Sequence, residues 1–319
     1  MDLFKPAWQS KNSNKASNAV EKITDMKKLE RVAFKALSSS ARWTATNKIT
    51  DENVLFKIAK IDPNSQVRKA AVKRITNENA LIEIAKTDND SFIREAATEK
   101  ITDENILREI ADNKEEESWV RTKAQERVTY LRCELIRKIT DQDTLIKIAK
   151  SDEGQIIRGE AVKRITDQHV LMEIAKTDGY FGVGEEAVET ITNQIILADI
   201  AKNADLEQIR IAAIEKLNDQ SVLKDIATSD SSIIVRCHVI VRLIKTAKLS
   251  DEEIDSIVAE VIKYMKSITL TWGGNVADIV SILKSCDSLK FGIDIQESGG
   301  HGRNAVCAIY YKGKKIGSW

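Results

Sequence analysis

Apolar residues along this chain fall in short clusters with spacings of three and four, and the clusters come in pairs. Between positions 49 and 75 they stand at Val54, Leu55, Ile58 and Ala59, then at Val67, Ala70, Ala71, Val72 and Ile75. Each set marks one buried stripe of a helix, because residues three and four apart share a face. The segment Ile61-Asp62-Pro63-Asn64-Ser65 separates them with turn formers, the Pro and Ser suiting a stop and a fresh N-cap. The predicted repeat is helix A, a short turn, helix B, and a second turn through Thr-Asp.

Ile-Thr-Asp or a near variant begins at Ile23, Ile49, Ile75, Ile101, Ile139, Ile165, Ile191 and Leu217, and a plain Leu243 closes the series. Every interval is 26 residues except that from 101 to 139, which is 38. Helix A carries a Leu-x-x-Ile-Ala core from Leu55/Ile58/Ala59 through Leu223/Ile226/Ala227. Helices of about ten residues are marginal alone, so each pair must bury its stripes against the next. The expected fold class is mainly α, an α-solenoid superhelix of about eight helix pairs with a small α+β C-terminal cap. Residues 1–13 would form an N-terminal arm, 14–246 the solenoid, and 247–319 a C-terminal helix plus the cap.

Helix B opens with Val-Arg or Ile-Arg, and an Asp often stands six residues before that Arg: Asp62/Arg68, Asp88/Arg94, Asp152/Arg158 and Asp230/Arg236. The periodic Asp argues for structural ion pairing from one repeat to the next rather than for a ladder of ligand contacts. These columns, from about residue 14 to 245, resemble the HEAT-like, armadillo-type α-solenoid repeats, in the short bacterial form related to bilin-lyase-type HEAT repeats. The resemblance implies the fold; scaffolds, DNA-repair enzymes and chromophore lyases all use that architecture.

A second column is basic. Lys22, Lys48, Arg74, Lys100, Lys138, Arg164, Lys216 and Arg242 precede the closing Ile or Leu, where cations complement a helix C-terminus. The alternative is a stripe that follows a phosphate backbone. One residue earlier the sign alternates, as Lys73, Glu99, Arg137, Lys163, Glu189 and Glu215, and a mixed surface suits a protein better than a duplex.

Function is expected where the period fails. The long repeat holds Glu115-Glu116-Glu117-Ser118-Trp119 and two overlapping copies of the helix B pattern, which predict a single helix from about Ser118 to Lys138. The other departure is Asp178-Gly179-Tyr180-Phe181-Gly182-Val183-Gly184, read as a glycine-rich loop presenting two aromatics, with Gly184 in the arginine column. Beyond Leu243 a capping box at Ser250 predicts a helix to about Lys266. Eight of the thirteen glycines lie at or after Gly273, and strands are predicted over 291–296, 305–311 and 315–319, with a helix over 276–289. His301 and Cys307 carry no nucleophile signature around them, and a Cys in an apolar strand is ordinarily core.

Composition adds exclusions. The 49 basic and 49 acidic residues cancel, so no global field attracts nucleic acid or anionic lipid. Cys133, Cys237, Cys286 and Cys307 are far apart, without metal-ligand spacing, and read as reduced thiols. No apolar run reaches signal-peptide or membrane-span length, so a cytoplasmic location is expected. Phosphate-loop, nucleophile-elbow and zinc-protease motifs are missing, so no catalytic or metal residue and no cofactor is assigned. The expected function is a non-enzymatic protein-interaction scaffold or adaptor using the concave helix B face, with Tyr180, Phe181, Trp119, Lys73 and Lys163 as contact residues. A protein partner is expected, with no membrane. The alternatives are a nucleic-acid-binding or DNA-repair protein of HEAT-like type and a bilin-lyase-like protein.

Overall fold

The computed structural model describes residues 6–151, 154–246, 293–298, 306–311 and 314–318. It divides into two compact bodies, one through Leu135 and the other from Ile136. Seventeen α-helices lie among the described residues. The first body contains a 3-10 turn at Ala7–Gln9, α1 (Ser13–Glu21), α2 (Met26–Lys35), α3 (Ser39–Lys48), α4 (Glu52–Ile61), α5 (Ser65–Arg74), α6 (Glu78–Thr87), α7 (Ser91–Thr98), α8 (Glu104–Asp112) and nearly all of α9 (Ser118–Ile136). The second contains α10 (Gln142–Ser151), α11 (Gln155–Val162), α12 (Gln168–Thr177), α13 (Phe181–Thr190), α14 (Gln194–Asn203), α15 (Glu207–Lys216), α16 (Gln220–Ser229) and α17 (Ile233–Thr246). From α2 onward, even-numbered helices are helices A and odd-numbered ones helices B. In each body adjacent helices pair, and helices B pack along one another more closely than helices A do.

The repeat boundaries follow from backbone chemistry. Asp51, Asn77, Asp103, Asp167, Asn193 and Asp219 each cap a helix A by accepting a backbone N–H. At the internal turn the cap is Asn64, with Ser65 the first helical residue. The Leu and Ile of the helix A core and the Val, Ala and closing Ile of helix B are buried, except that Ile139 and Ile148 are half-buried. The long repeat is indeed one continuous helix, α9, whose Val120, Ala124 and Val128 join the core of the first body. The expected N-terminal arm is partly core: the turn at Ala7–Gln9 buries Trp8.

Three strands are described near the C-terminus, β1 (Ile293–Ser298), β2 (Val306–Tyr311) and β3 (Lys314–Ser318). They form an antiparallel sheet in sequence order, with a register shift opposite Ile309 and Tyr310 where β3 carries one extra residue, Ile316. The helices predicted over 250–266 and 276–289, and His301, lie outside the described residues. No helix among the described residues is long and apolar enough to cross a membrane.

Within each body, four sets of polar contacts tie neighbouring repeats together. In the first, helix B arginines fork onto carboxylates beyond the following helix A: Arg42 to Asp62, Arg68 to Asp88, Arg94 to Glu116, Arg158 to Asp178 and Arg210 to Asp230, at 2.6–3.0 Å from the closest nitrogen. This corrects the expected pairings of Asp62 with Arg68, Asp88 with Arg94, and Asp230 with Arg236. Six residues before the arginine it is the backbone carbonyl that is met, as when Arg68 Nη1 donates to Asp62 O at 3.1 Å. The Asp62 carboxylate points back to the preceding repeat, while Asp230 serves Arg210. Asp152 lies outside the described residues, and Arg158 pairs with Asp178. Each carboxylate also accepts a nearby backbone N–H, such as Asn64 N to Asp62 at 2.9 Å.

In the second set, the first residue of helix A accepts backbone N–H groups of the next repeat's Thr-Asp turn. Glu52 takes Thr76 N and Asn77 N, Glu78 takes Thr102 N and Asp103 N, and Gln168 takes Thr192 N. Hydrogen bonding to Thr76 holds the Glu52 carboxyl below its ordinary value. In the third set, the basic column donates to carbonyls one repeat back, and in the fourth, surface lysines of helix A meet acids one repeat on, as Lys60 meets Glu83 at 2.9 Å.

The forks should dominate stability. Arg68 and Asp88 are 14% and 7% exposed, against 34% and 50% for Lys60 and Glu83. Arg68→Ala strands a buried carboxylate and should cost about 3 kcal/mol in chemical denaturation, whereas Lys60→Ala should change stability by less than about 1 kcal/mol. Equal effects of the two would refute this ranking. A pH dependence follows as well. Burial alone would raise the carboxyls of Glu116 and Asp178, but hydrogen bonds from the partner arginine and a backbone N–H, with the arginine's charge, outweigh it and hold both below their ordinary values. Depressed carboxyls stabilise fully above their unfolded pKa of about 4 and lose that contribution as pH falls through the folded values. Thermal melts should therefore be flat near neutrality and fall below about pH 4. Glu116→Gln should lower the neutral plateau and flatten part of the acid limb; an unaltered acid limb would count against this assignment.

Candidate functional site on the helix B face

The expected contact residues separate into those with structural partners and those facing solvent. The basic column belongs to the first group. Arg74 donates to Ile49 O at 2.8 Å, Arg164 to Ile139 O at 3.0 Å and Arg242 to Leu217 O at 3.0 Å, while Lys48 and Lys100 reach the ends of α1 and α5. These cations, with Lys216, cap the helix C-terminus one repeat back, so six of the eight members of the stripe that would follow a phosphate backbone are committed to internal carbonyls, while Lys22 and Lys138 are exposed. Lys163 lies 3.4 Å from Glu186 on the next helix B and 3.8 Å from Glu160. Arg137 and Glu160 pair in the same way at 2.6 Å. Lys73 is exposed, and its carbonyl receives Lys100.

The segment 178–184 is helical from Phe181 onward, which corrects its reading as a glycine-rich loop. Tyr180 occupies the cap position, its ring lies over Gly182, and its N–H donates to Asp178 at 2.9 Å. Both Tyr180 and Phe181 remain exposed. Gly184 replaces the column arginine for a packing reason. A Cβ there would meet Ile209 Cδ1 at 2.7 Å and Ala175 O at 3.2 Å. The acid that this arginine would have met, twenty residues on, is Ala204. Both halves of one fork are thus missing together, and α13 and α15 close directly on each other.

Trp119 has a neighbour that the sequence reading missed. Phe92 stacks on it with ring centroids 5.9 Å apart and planes 24° from parallel, although the two residues are 58% and 42% exposed. The geometry comes from the repeat: each ring stands immediately before the buried Ile93 or Val120 that precedes the column arginine, on consecutive helices B. That alignment was the available signal for Phe92. Trp43 of α3 is another exposed aromatic on a helix B, beside a groove of about 550 Å³ lined by Ser17, Ser40, Asn64 and Gln66. Around the stack the charges are mixed, with Lys123 bonded to Glu126 and within the field of Glu99 and Glu95. Farther along α9, Arg127 lies over the Tyr130 ring at 5.1 Å.

This face offers π-surface, apolar contact and paired charges, the ingredients of recognition. Among the described residues no group of three or more His, Cys, Asp or Glu is arranged to hold a metal ion. The close approach at Gly184 is testable. Gly184→Val should destabilise the protein by about 1–3 kcal/mol through overpacking against the buried Ile209; an unchanged denaturation midpoint would show that α13 and α15 have room to spare. No protein-family model matches this sequence, and no curated protein matches it either.

Proposed function

We propose that this protein is a non-enzymatic binding module of HEAT-like type that docks a protein partner on its helix B face, with Phe92 and Trp119 as the anchor. The observation that carries this reading is the stacked pair itself. Two large rings on adjacent helices B hold each other in a defined geometry while leaving about half of each in water. Exposed aromatic surface of this kind is unfavourable unless it is covered, and tryptophan is the residue type most enriched at binding hot spots. Pre-stacking also lowers the entropy lost on docking. The commitment of most of the basic column to internal carbonyls favours a protein over a nucleic acid, because a polyanion needs free cations along its path. Tyr180 and Phe181 form a separate exposed pair within the second body.

The test is selection of short random peptides on the full-length protein, followed by affinity measurement. The double variant Phe92→Ala/Trp119→Ala should weaken selected peptides by about tenfold or more, in line with hot-spot truncations of about 2 kcal/mol. Its melting temperature should stay near that of the unaltered protein, since neither ring is core. Peptides that bind the double variant undiminished would move the site elsewhere.

A further inference from the structure

The groove beside Trp43 lies within the first body, between α1, α3 and the start of α5, and encloses about 550 Å³. Ser17 and Glu21 come to it from α1, Ser40 and Trp43 from α3, and Asn64 and Gln66 from the cap and first turn of α5. Trp43 is 47% exposed and departs from its column, which holds Lys69 on α5 and Glu95 on α7. Ser39 and Ser40, four and three residues before it on the same face of α3, are too small to cover the ring. The polar groups around the indole are also unspent. Elsewhere in this body such groups serve the fold, as Glu52 and Glu78 hold the next repeat's turn. The side chains of Ser17, Ser40, Glu21 and Gln66, by contrast, have no hydrogen bond or ion pair among the described residues. Asn64 uses its Oδ1 on Gln66 N at 3.0 Å and Val67 N at 3.3 Å, which leaves its Nδ2 as a donor. Thr44 alone is turned to the helix, donating to Ser40 O at 2.9 Å.

The lining selects a ligand class. An anion would meet no lysine or arginine there, the groups that bind carboxylate and phosphate. An apolar ligand would find one ring and no aliphatic wall. A quaternary ammonium is held by a cage of several rings, and Trp43 is the one ring that lines this groove. The combination of a single open indole face with hydroxyl, amide and carboxylate groups matches a sugar. The C–H face of a pyranose packs flat on an aromatic ring, while its hydroxyls, each a donor and an acceptor, meet side chains at the rim. We propose that this groove binds a neutral saccharide, its ring on Trp43 and its hydroxyls on Gln66, Asn64, Ser17 and Glu21. The Glu21 carboxylate accepts from hydroxyls in charge-assisted bonds, stronger than those of the neutral groups. The volume lies within the range of about 300–1,000 Å³ usual for small-ligand sites. The groove is distinct from the Phe92–Trp119 stack, since α5 stands between Trp43 of α3 and Phe92 of α7.

The experiment presents the full-length protein to an array of immobilised oligosaccharides built from neutral glucose, galactose, mannose and N-acetylglucosamine residues, each beside its sulfated counterpart. A bound member is then titrated in solution by calorimetry. A neutral member should bind in preference to its sulfated form. Trp43→Ala should weaken that binding by about tenfold or more, through loss of the apolar platform. Gln66→Ala should weaken it by about fivefold, the loss of a hydrogen bond. Both variants should melt with the unaltered protein, because both side chains are exposed. Phe92→Ala/Trp119→Ala should bind the saccharide undiminished. An array on which no neutral member is bound, stronger binding of the sulfated forms, or an affinity untouched by Trp43→Ala would each overturn the proposal. Loss of affinity for the selected short peptides in Trp43→Ala, without saccharide binding, would overturn it too and make the groove an extension of the protein-docking face.

Discussion

A helix of ten residues does not persist in water by itself, so the chain depends on whatever makes each helix pair cling to the next. Apolar burial supplies most of the attraction but is nearly indifferent to register, because a Leu or Ile stripe slides past another with little penalty. The arginine fork removes that freedom. Its three nitrogens are divided between a carbonyl six residues back and a carboxylate twenty residues ahead, and that acid also caps its own turn. A guanidinium so enclosed has one satisfactory position, and sliding one repeat against another would leave charge buried and unpaired.

The remaining polar columns build on that register. Glu52, Glu78 and Gln168 hold the following Thr-Asp turn, and the basic column neutralises the carbonyls at the end of the preceding helix B. One consequence is electrostatic. A chain with nearly a third of its residues charged spends much of that charge internally, so its surface offers paired ions rather than a field. The feature left for protein recognition in the first body is accordingly apolar: the stacked rings of Phe92 and Trp119.

At Gly184 and Ala204, within the second body, both partners of one fork are absent and the helices close up, so nothing is left unsatisfied. The gap in the column is a compensated substitution.

The sequence by itself determined the repeat, its boundaries and the merged helix, because helix periodicity and capping act within a few residues and are written locally. Val67, Ala71 and Ile75 had to share a face, and Asp51 had to cap, whatever surrounded them. The β-strands near the C-terminus were legible for the same reason. Partner identity was not legible: Asp62 stands nearer in sequence to Arg68, yet its carboxylate meets Arg42, because side-chain direction at a turn depends on how one repeat stacks on another. Only the tertiary structure decided that Phe92 lies against Trp119 and that the glycines of 182–184 are helical and tightly packed. Those facts depend on distances across helices, which sequence spacing does not encode.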